Sequence, residues 1–434
     1  MTNPEFKRNL WLSFSMHRLI GMPALLILIL MTIALADFQS EIAGSLYVTF
    51  IYLFIFIVWL WGARNANAAI VDELRDKTWD QQRMSALGPW TMTWGKLFGS
   101  TSFNWYGGLM CLAVVGASGI AADKPDTLAT MLTLCAVGIL VHATLIALNL
   151  HTSQFESRLI QRGGMGWLAI IAIFMLSPAI AASKTITIWW WGMDVERTLF
   201  LLDSSILFAA CATFAAWRVT SNALQIRTLP WAWPTFACIL ALYIAGFMQN
   251  GGSLQLMLAG LFVSVTMTYV ALFTEPNTLL RWRKLRLLQS REDWRGWLEH
   301  LPLWPTTLAL TFIFAVLVML IADGEQTIHE RMGFLQPQHA LALALMLLRD
   351  TCVLLFFAFA PNSKRAISAA MLYLIVLNIL LPFLAGVAGL DALRYFFIPL
   401  EAGHDAWSSI LIMTLHAAVA IGLVNWRLRN SEQP

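Results

Sequence analysis

The chain has 434 residues, 59% of them hydrophobic and only 12% charged, where soluble domains run at roughly 45–50% apolar and about 25% charged. That balance excludes an ordinary soluble domain, while the net charge of +3 says little until its distribution is read. The apolar stretches approach 20 residues, enough to cross ~30 Å of hydrocarbon, and a chain in lipid must satisfy its own backbone hydrogen bonds as helices. The expected fold class is all-α: a polytopic membrane protein of about twelve transmembrane helices.

The segment 1–18 precedes the first span. Phe6, Leu10 and Phe14 recur at i, i+4, i+8, with Lys7, Arg8, Ser15 and Arg18 largely off that stripe. It reads either as an amphipathic helix in the interface plane or as a basic tail. No small-residue cleavage site stands out after the first apolar stretch, which therefore reads as a retained span. The expected spans are 19–36, 44–62, 102–121, 127–149, 166–183, 198–217, 234–248, 253–273, 304–322, 339–360, 366–387 and 407–426. With both termini placed in the cytoplasm, 22 of the 28 basic residues fall on that side. This is the asymmetry that the positive-inside rule demands.

Two connections, 63–101 and 274–303, exceed the usual helix–helix link of ~2–8 residues. Each is followed by four further spans, so the chain reads as two pseudo-repeated six-helix halves, 19–217 and 234–434, joined by a linker at 218–233. Faint similarity between the stretches beginning at His142 and at Arg349 agrees with that division. Parallel repeats of this kind are frequent in transporters.

The first long connection carries Asp72, Glu73, Asp76 and Asp80 interleaved with Arg75, Lys77 and Arg83, and is helical in composition until Gly88-Pro89. A charge-laced helix over 72–85 suits docking onto a soluble partner, or is a solvated interfacial helix. The second, at 274–303, carries six basic residues, Arg281, Arg283, Lys284, Arg286, Arg291 and Arg295. They suit either a second docking contact or anionic lipid headgroups.

Inside the spans, a charge near the bilayer centre costs at least ~2.5–3.5 kcal/mol and requires a partner. Arg349 and Asp350 fall mid-span, where they pair with Asp203, pair with each other, or line a pathway. His142 and His416 read as neutral hydrogen-bonding residues or as pathway groups. Asp391, Arg394, Glu401, His404 and Asp405 form one mixed outward cluster in the loop 388–406, read first as a solvated loop. The five cysteines show no metal-type spacing, and no catalytic constellation, cofactor site or metal site is expected.

The 72–96 segment resembles that of the permease subunits of ABC-2 type transporters. In that family the second span is followed by charged residues, Gly-Thr, a leucine-rich turn, Ser-Pro, and Gly-Lys at the next span. Glu73 and Arg75 match the charged positions, Thr78 the threonine, Ser85 the serine, and Gly95-Lys96 follow ten residues later. Lys77 stands in place of the glycine and Ala86 in place of the proline.

The resemblance implies a transmembrane subunit in a bacterial inner membrane, probed by a separate ATPase subunit through Asp72, Glu73, Arg75, Thr78, Asp80, Arg83 and Ser85. It implies export of an unidentified substrate by alternating access, with membrane lipids as further partners and no nucleic acid. Gly95-Lys96 is not a phosphate loop, because Leu97 follows it and it opens a span. The alternatives are an ion-coupled secondary transporter, or a membrane enzyme or assembly scaffold.

Overall fold

A computed structural model describes residues 3–36, 42–85, 87–153, 187–226, 228–248, 252–275, 277–322, 337–360, 366–398 and 406–430. Ten helices among these are long and apolar enough to cross a membrane. The chain is an all-α, polytopic membrane protein. The ten lie where the sequence places spans. The expected span 166–183 falls outside the described residues, as do Glu401, His404 and Asp405 of the outward cluster. The expected span 234–248 is a helix of 14 residues, Ala232–Ala245, which at 1.5 Å per residue is about 21 Å long, short of the hydrocarbon thickness.

The chain divides into two compact units. The first comprises Met1–Ile188 with Asp194–Thr228. Its helices are α1 (Pro4–Ser13), α2 (Met16–Ala36), α3 (Ile42–Arg75), α4 (Trp79–Arg83), α5 (Pro89–Gly99), α6 (Ser102–Ala121), α7 (Thr127–Ser153) and α8 (Arg197–Ala223). One core packs Phe50, Phe54, Ile57 and Val58 of α3 against Phe103, Cys111, Leu112 and Val115 of α6. Gly108 permits this approach, since a Cβ there would lie 2.5 Å from the Val58 side chain. A second core joins Ala66 and Ile70 of α3, Met92 and Leu97 of α5, Ile146 and Leu150 of α7, and Ala216 of α8.

Helix α3 departs from expectation. It runs 34 residues, well beyond the predicted end at 62, and turns as a π-helix over Ile55–Trp61. The predicted 72–85 helix is not continuous. The backbone breaks at Asp76–Thr78, where the Lys77 N–H donates to Leu74 O (3.4 Å) and the Thr78 N–H to Glu73 O (3.0 Å). That is a Schellman terminus, and it places Lys77 at φ +56, the left-handed conformation that glycine adopts without penalty.

The second unit comprises Trp189–Met193 with Leu229–Pro434. Its helices are α9 (Ala232–Ala245), α10 (Ser253–Thr274), α11 (Leu279–Ser290), α12 (Trp294–His300), α13 (Trp304–Ala322), α14 (His339–Ala358), α15 (Ser368–Val387, π-helical over Val376–Leu380), α16 (Asp391–Phe397) and α17 (Ala406–Asn430). Helices α10 and α13 meet through hydroxyls as well as apolar contacts. Thr268 Oγ1 bonds Thr307 Oγ1 at 2.9 Å, and Thr311 Oγ1 donates to Ser264 Oγ at 3.1 Å. Polar groups of this kind join helices where lipid offers no hydrophobic drive for association. Trp190 sits over Gly246 and donates from its indole to Tyr243 O at 3.1 Å.

The left-handed turn yields a direct test. Lys77→Gly is expected to stabilise the protein by about 1 kcal/mol, the cost of holding a side chain at positive φ. It should raise the melting temperature in detergent, whereas Lys77→Val should lower it; equal melting temperatures would disprove the assignment.

Candidate functional site

The first long connection is anchored by a buried lysine. Lys96 lies on α5 with its side chain 1% exposed, 3.2 Å from Glu5 Oε1 and paired also with the Glu73 carboxylate. Arg8 closes the cluster, 3.1 Å from Glu5 and in contact with Glu73. Two carboxylates and two cations sum to zero, which is how a buried charge avoids its several-kcal/mol desolvation penalty. Gln82 Nε2 donates to Glu73 at 2.7 Å, Asn9 Nδ2 to Glu5 Oε1 at 3.0 Å, and the Trp79 ring lies 5.4 Å from Lys96 Nζ.

Helix α1 is built to reach this cluster. Asn3 caps it, accepting from the Glu5 and Phe6 N–H groups while its amide donates to Thr91 O at 2.7 Å. Pro4 occupies the first turn, where its missing N–H costs nothing. Glu5 and Asn9, four apart, face α5 at Gly95 and Gly99. A Cβ on Gly95 would come within 2.6 Å of Glu5 Cβ, and one on Gly99 within 2.8 Å of Asn9 Cβ. The stripe of Phe6, Leu10 and Phe14 is half-buried, with Phe14 packed on Phe103 and Tyr106, while Glu5 and Asn9 beside it are buried more deeply and Trp11 and Leu12 are turned outward. The buried Lys96 dictates this, because it requires carboxylates from α1 and α3 together.

The seven predicted coupling residues separate into two groups. Glu73 is turned inward, 13% exposed. Thr78 Oγ1 bonds Glu73 O at 3.3 Å and Ser85 Oγ bonds Gln82 O at 2.6 Å, so both hydroxyls hold the turn. Asp72 and Arg75 are 59% and 69% exposed, 3.7 Å apart. Asp80 is exposed, with Arg83 at 3.5 Å. With Asp76 and Lys77, also exposed, they form a surface of alternating sign. Ala86 lies outside the described residues.

The intramembrane candidates fall in different places. In the first unit, His142 Nε2 lies 2.8 Å from Val58 O, and Asn104 Nδ2 donates to Ile57 O at 2.9 Å. Both carbonyls belong to the π segment of α3, so these side chains satisfy backbone acceptors where the α pattern is interrupted. His142 also fills the space over Gly62, whose Cβ would approach Nε2 to 2.5 Å. Asp203 is exposed and makes no ion pair among the described residues.

In the second unit, Arg349 and Asp350 pair with each other at 2.7 Å. Tyr269 Oη donates to Asp350 Oδ2 at 2.7 Å, and Asn378 bridges the pair, accepting from Arg349 and donating to Asp350 at 3.2 Å. Arg349 Nη1 is buried without a partner among the described residues. His416 packs edge-on against Phe396 at 4.4 Å. Among the described residues no three His, Cys, Asp or Glu side chains converge as a metal site, and all five cysteines are free.

The second long connection has its own buried acid. Glu275 Oε2 accepts the Leu303 N–H at 2.6 Å and Oε1 lies 3.7 Å from Arg281. Arg281 also donates to His300 O and Leu301 O at 3.0 and 3.2 Å. Sequence reasoning missed Glu5, Asn9, Tyr269, Glu275 and Asn378. Glu5 and Asn9 at i, i+4 carried the clearest signal for the first cluster.

Two tests follow from these clusters. Lys96→Met leaves two facing carboxylates short of a cation and is expected to destabilise the protein by roughly 3–5 kcal/mol. Adding Glu73→Gln should recover part of that loss in a double-mutant cycle of thermal stability; strict additivity would disprove the coupling.

Burial raises the Glu275 carboxyl from its ordinary value of 4.5, against the opposing pull of Arg281 and the Leu303 N–H. A raised folded-state value means that its stabilising contribution is full below the unfolded pKa and is lost as pH rises through the folded one. The wild type should therefore lose melting temperature relative to Glu275→Gln as pH rises above about 4.5. A constant difference would contradict this. No protein-family model matches the chain, and no curated protein or solved structure matches it either.

Proposed function

We propose that this chain is the membrane permease of an ABC-2 type exporter, moving its substrate by alternating access under the drive of a separate ATPase subunit. The observation that carries this reading is the exposed surface of Asp72, Arg75, Asp76, Lys77 and Asp80, edged by the half-buried Arg83, on a segment tied to the helices by Glu73 and Lys96. A docking surface must be both accessible and rigidly connected if a partner's movement is to reach the membrane helices. Here one side of the segment presents balanced charge, while the other is bonded to α1 and α5. The turn at Lys77 adds support, because positive φ is the conformation that glycine adopts without penalty, and glycine is the usual residue at this position in the family that the segment resembles.

On this reading the 63–101 connection faces the cytoplasm of a bacterial inner membrane, twelve spans are completed by 166–183 and 234–248, and no bond chemistry occurs in this chain. Glu73 holds the segment in place, and the exposed residues make the contact.

The experiment asks whether an ATPase is encoded beside this chain and co-purifies with it. Asp72→Lys with Arg75→Glu and Asp80→Lys is expected to abolish association while leaving the melting temperature within a few degrees of wild type. Undiminished association, or transport that needs a proton gradient and no ATP, would refute the proposal.

A further inference from the structure

The α11–α12 hairpin presents a surface unlike that of the first connection. Its inner side is apolar and packed. Leu285 is buried, and the half-buried Trp282 packs with its ring centroid 5.9 Å from that of Trp304, tilted, and 6.1 Å from that of Phe359, edge-on. Asp293 caps α12 through the Gly296 N–H at 2.9 Å, and the Glu275–Arg281 clip fixes the hairpin's base. The hairpin is thus a rigid body.

Its outer side combines two chemistries. Leu280, Arg283, Lys284 and Leu287 follow one another at i, i+3, i+4 and i+7, which sets them on one face of α11. Leu280 is 75% exposed and Leu287 is also exposed. Arg291 continues this face at the helix end, and Trp294 and Leu298 are exposed on α12. Across Leu279–Ser290 there are four basic residues and no acid. The first connection differs in its charge, since its exposed charges alternate in sign.

Position decides which partner this chemistry meets. Helix α10 has 22 residues, so at 1.5 Å per residue it spans about 33 Å, close to the hydrocarbon thickness. The hairpin begins five residues after α10 ends at Thr274, and α13 starts four residues after α12 ends at His300. Both ends are therefore held at the depth of the headgroups. Exposed leucine and tryptophan beside arginine and lysine at that depth are the makings of an interfacial helix on an anionic bilayer.

We infer that the outer face of the α11–α12 hairpin binds the anionic lipid surface, Leu280, Leu287 and Trp294 entering the interface while Lys284 and Arg291 contact headgroup phosphates. This site rests on α10 and α13 spanning the membrane and is independent of any ATPase.

The test uses the full chain with its native cysteines replaced, a spin label at Leu287→Cys, and a control label at Asp80→Cys. Each is reconstituted in discs of neutral phosphatidylcholine and in discs containing phosphatidylglycerol. The oxygen-to-nickel-chelate accessibility ratio at Leu287→Cys should rise several-fold with the anionic lipid, and the control should not move. Lys284→Gln with Arg291→Gln should cancel the rise, as should the harsher Lys284→Glu with Arg291→Glu. A label open to the nickel chelate in both discs would overturn the inference. So would shielding that ignores lipid charge, or shielding that appears only when a soluble partner is added.

Discussion

The ion pair between Lys96 and Glu73 constrains most of what surrounds it. A lysine in a helix packed among apolar residues survives only if carboxylates reach it from other elements. Glu73 arrives because α3 continues beyond the expected end of its span, and Glu5 arrives because α1 lies directly on Gly95 and Gly99. The glycines, the Asn3 cap and the length of α3 are thus separate features answering one electrostatic requirement. They turn a long connection into an ordered part of the first unit.

The second unit meets a similar need with different residues. Glu275 stands just past the end of α10, as Glu73 stands at the end of α3, and each reaches across a long connection to its far side. In the first unit the acceptor of that reach is a cation; in the second it is chiefly a backbone N–H, with Arg281 further off. The acid in each case draws the connection back against the helix ends. The outward consequences differ, since one connection exposes alternating charge and the other exposes basic and apolar groups together.

The helical class and the positions of ten spans were legible because a run of apolar residues near 20 has few other uses. The pairing of Arg349 with Asp350 was among the alternatives the sequence offered, since few other charges lie in the spans. Asn378 and Tyr269 were not legible: a lone asparagine or tyrosine in an apolar run says nothing about which helix it will face. Glu5 was hidden for a similar reason. The stripe of Phe6, Leu10 and Phe14 marks a half-buried apolar face, and only the location of Lys96 in three dimensions explains why Glu5 and Asn9 beside it are buried more deeply still. The break at Lys77 was masked by good helix formers on either side, because local preference yields to the hydrogen bonds of the turn.

The π segment of α3 acts as a phase setter. A π turn holds one more residue than an α turn, so everything after Trp61 is rotated by about 100° from where a continuous α-helix would carry it. Glu73 lies three turns downstream and inherits that rotation in full. In an uninterrupted α-helix the same side chain would stand about a quarter of a turn around the axis from the direction in which it now meets Lys96. The accommodation of one residue between Ile55 and Trp61, sealed by His142 and Asn104, therefore contributes to the angle at which Glu73 leaves the helix for Lys96.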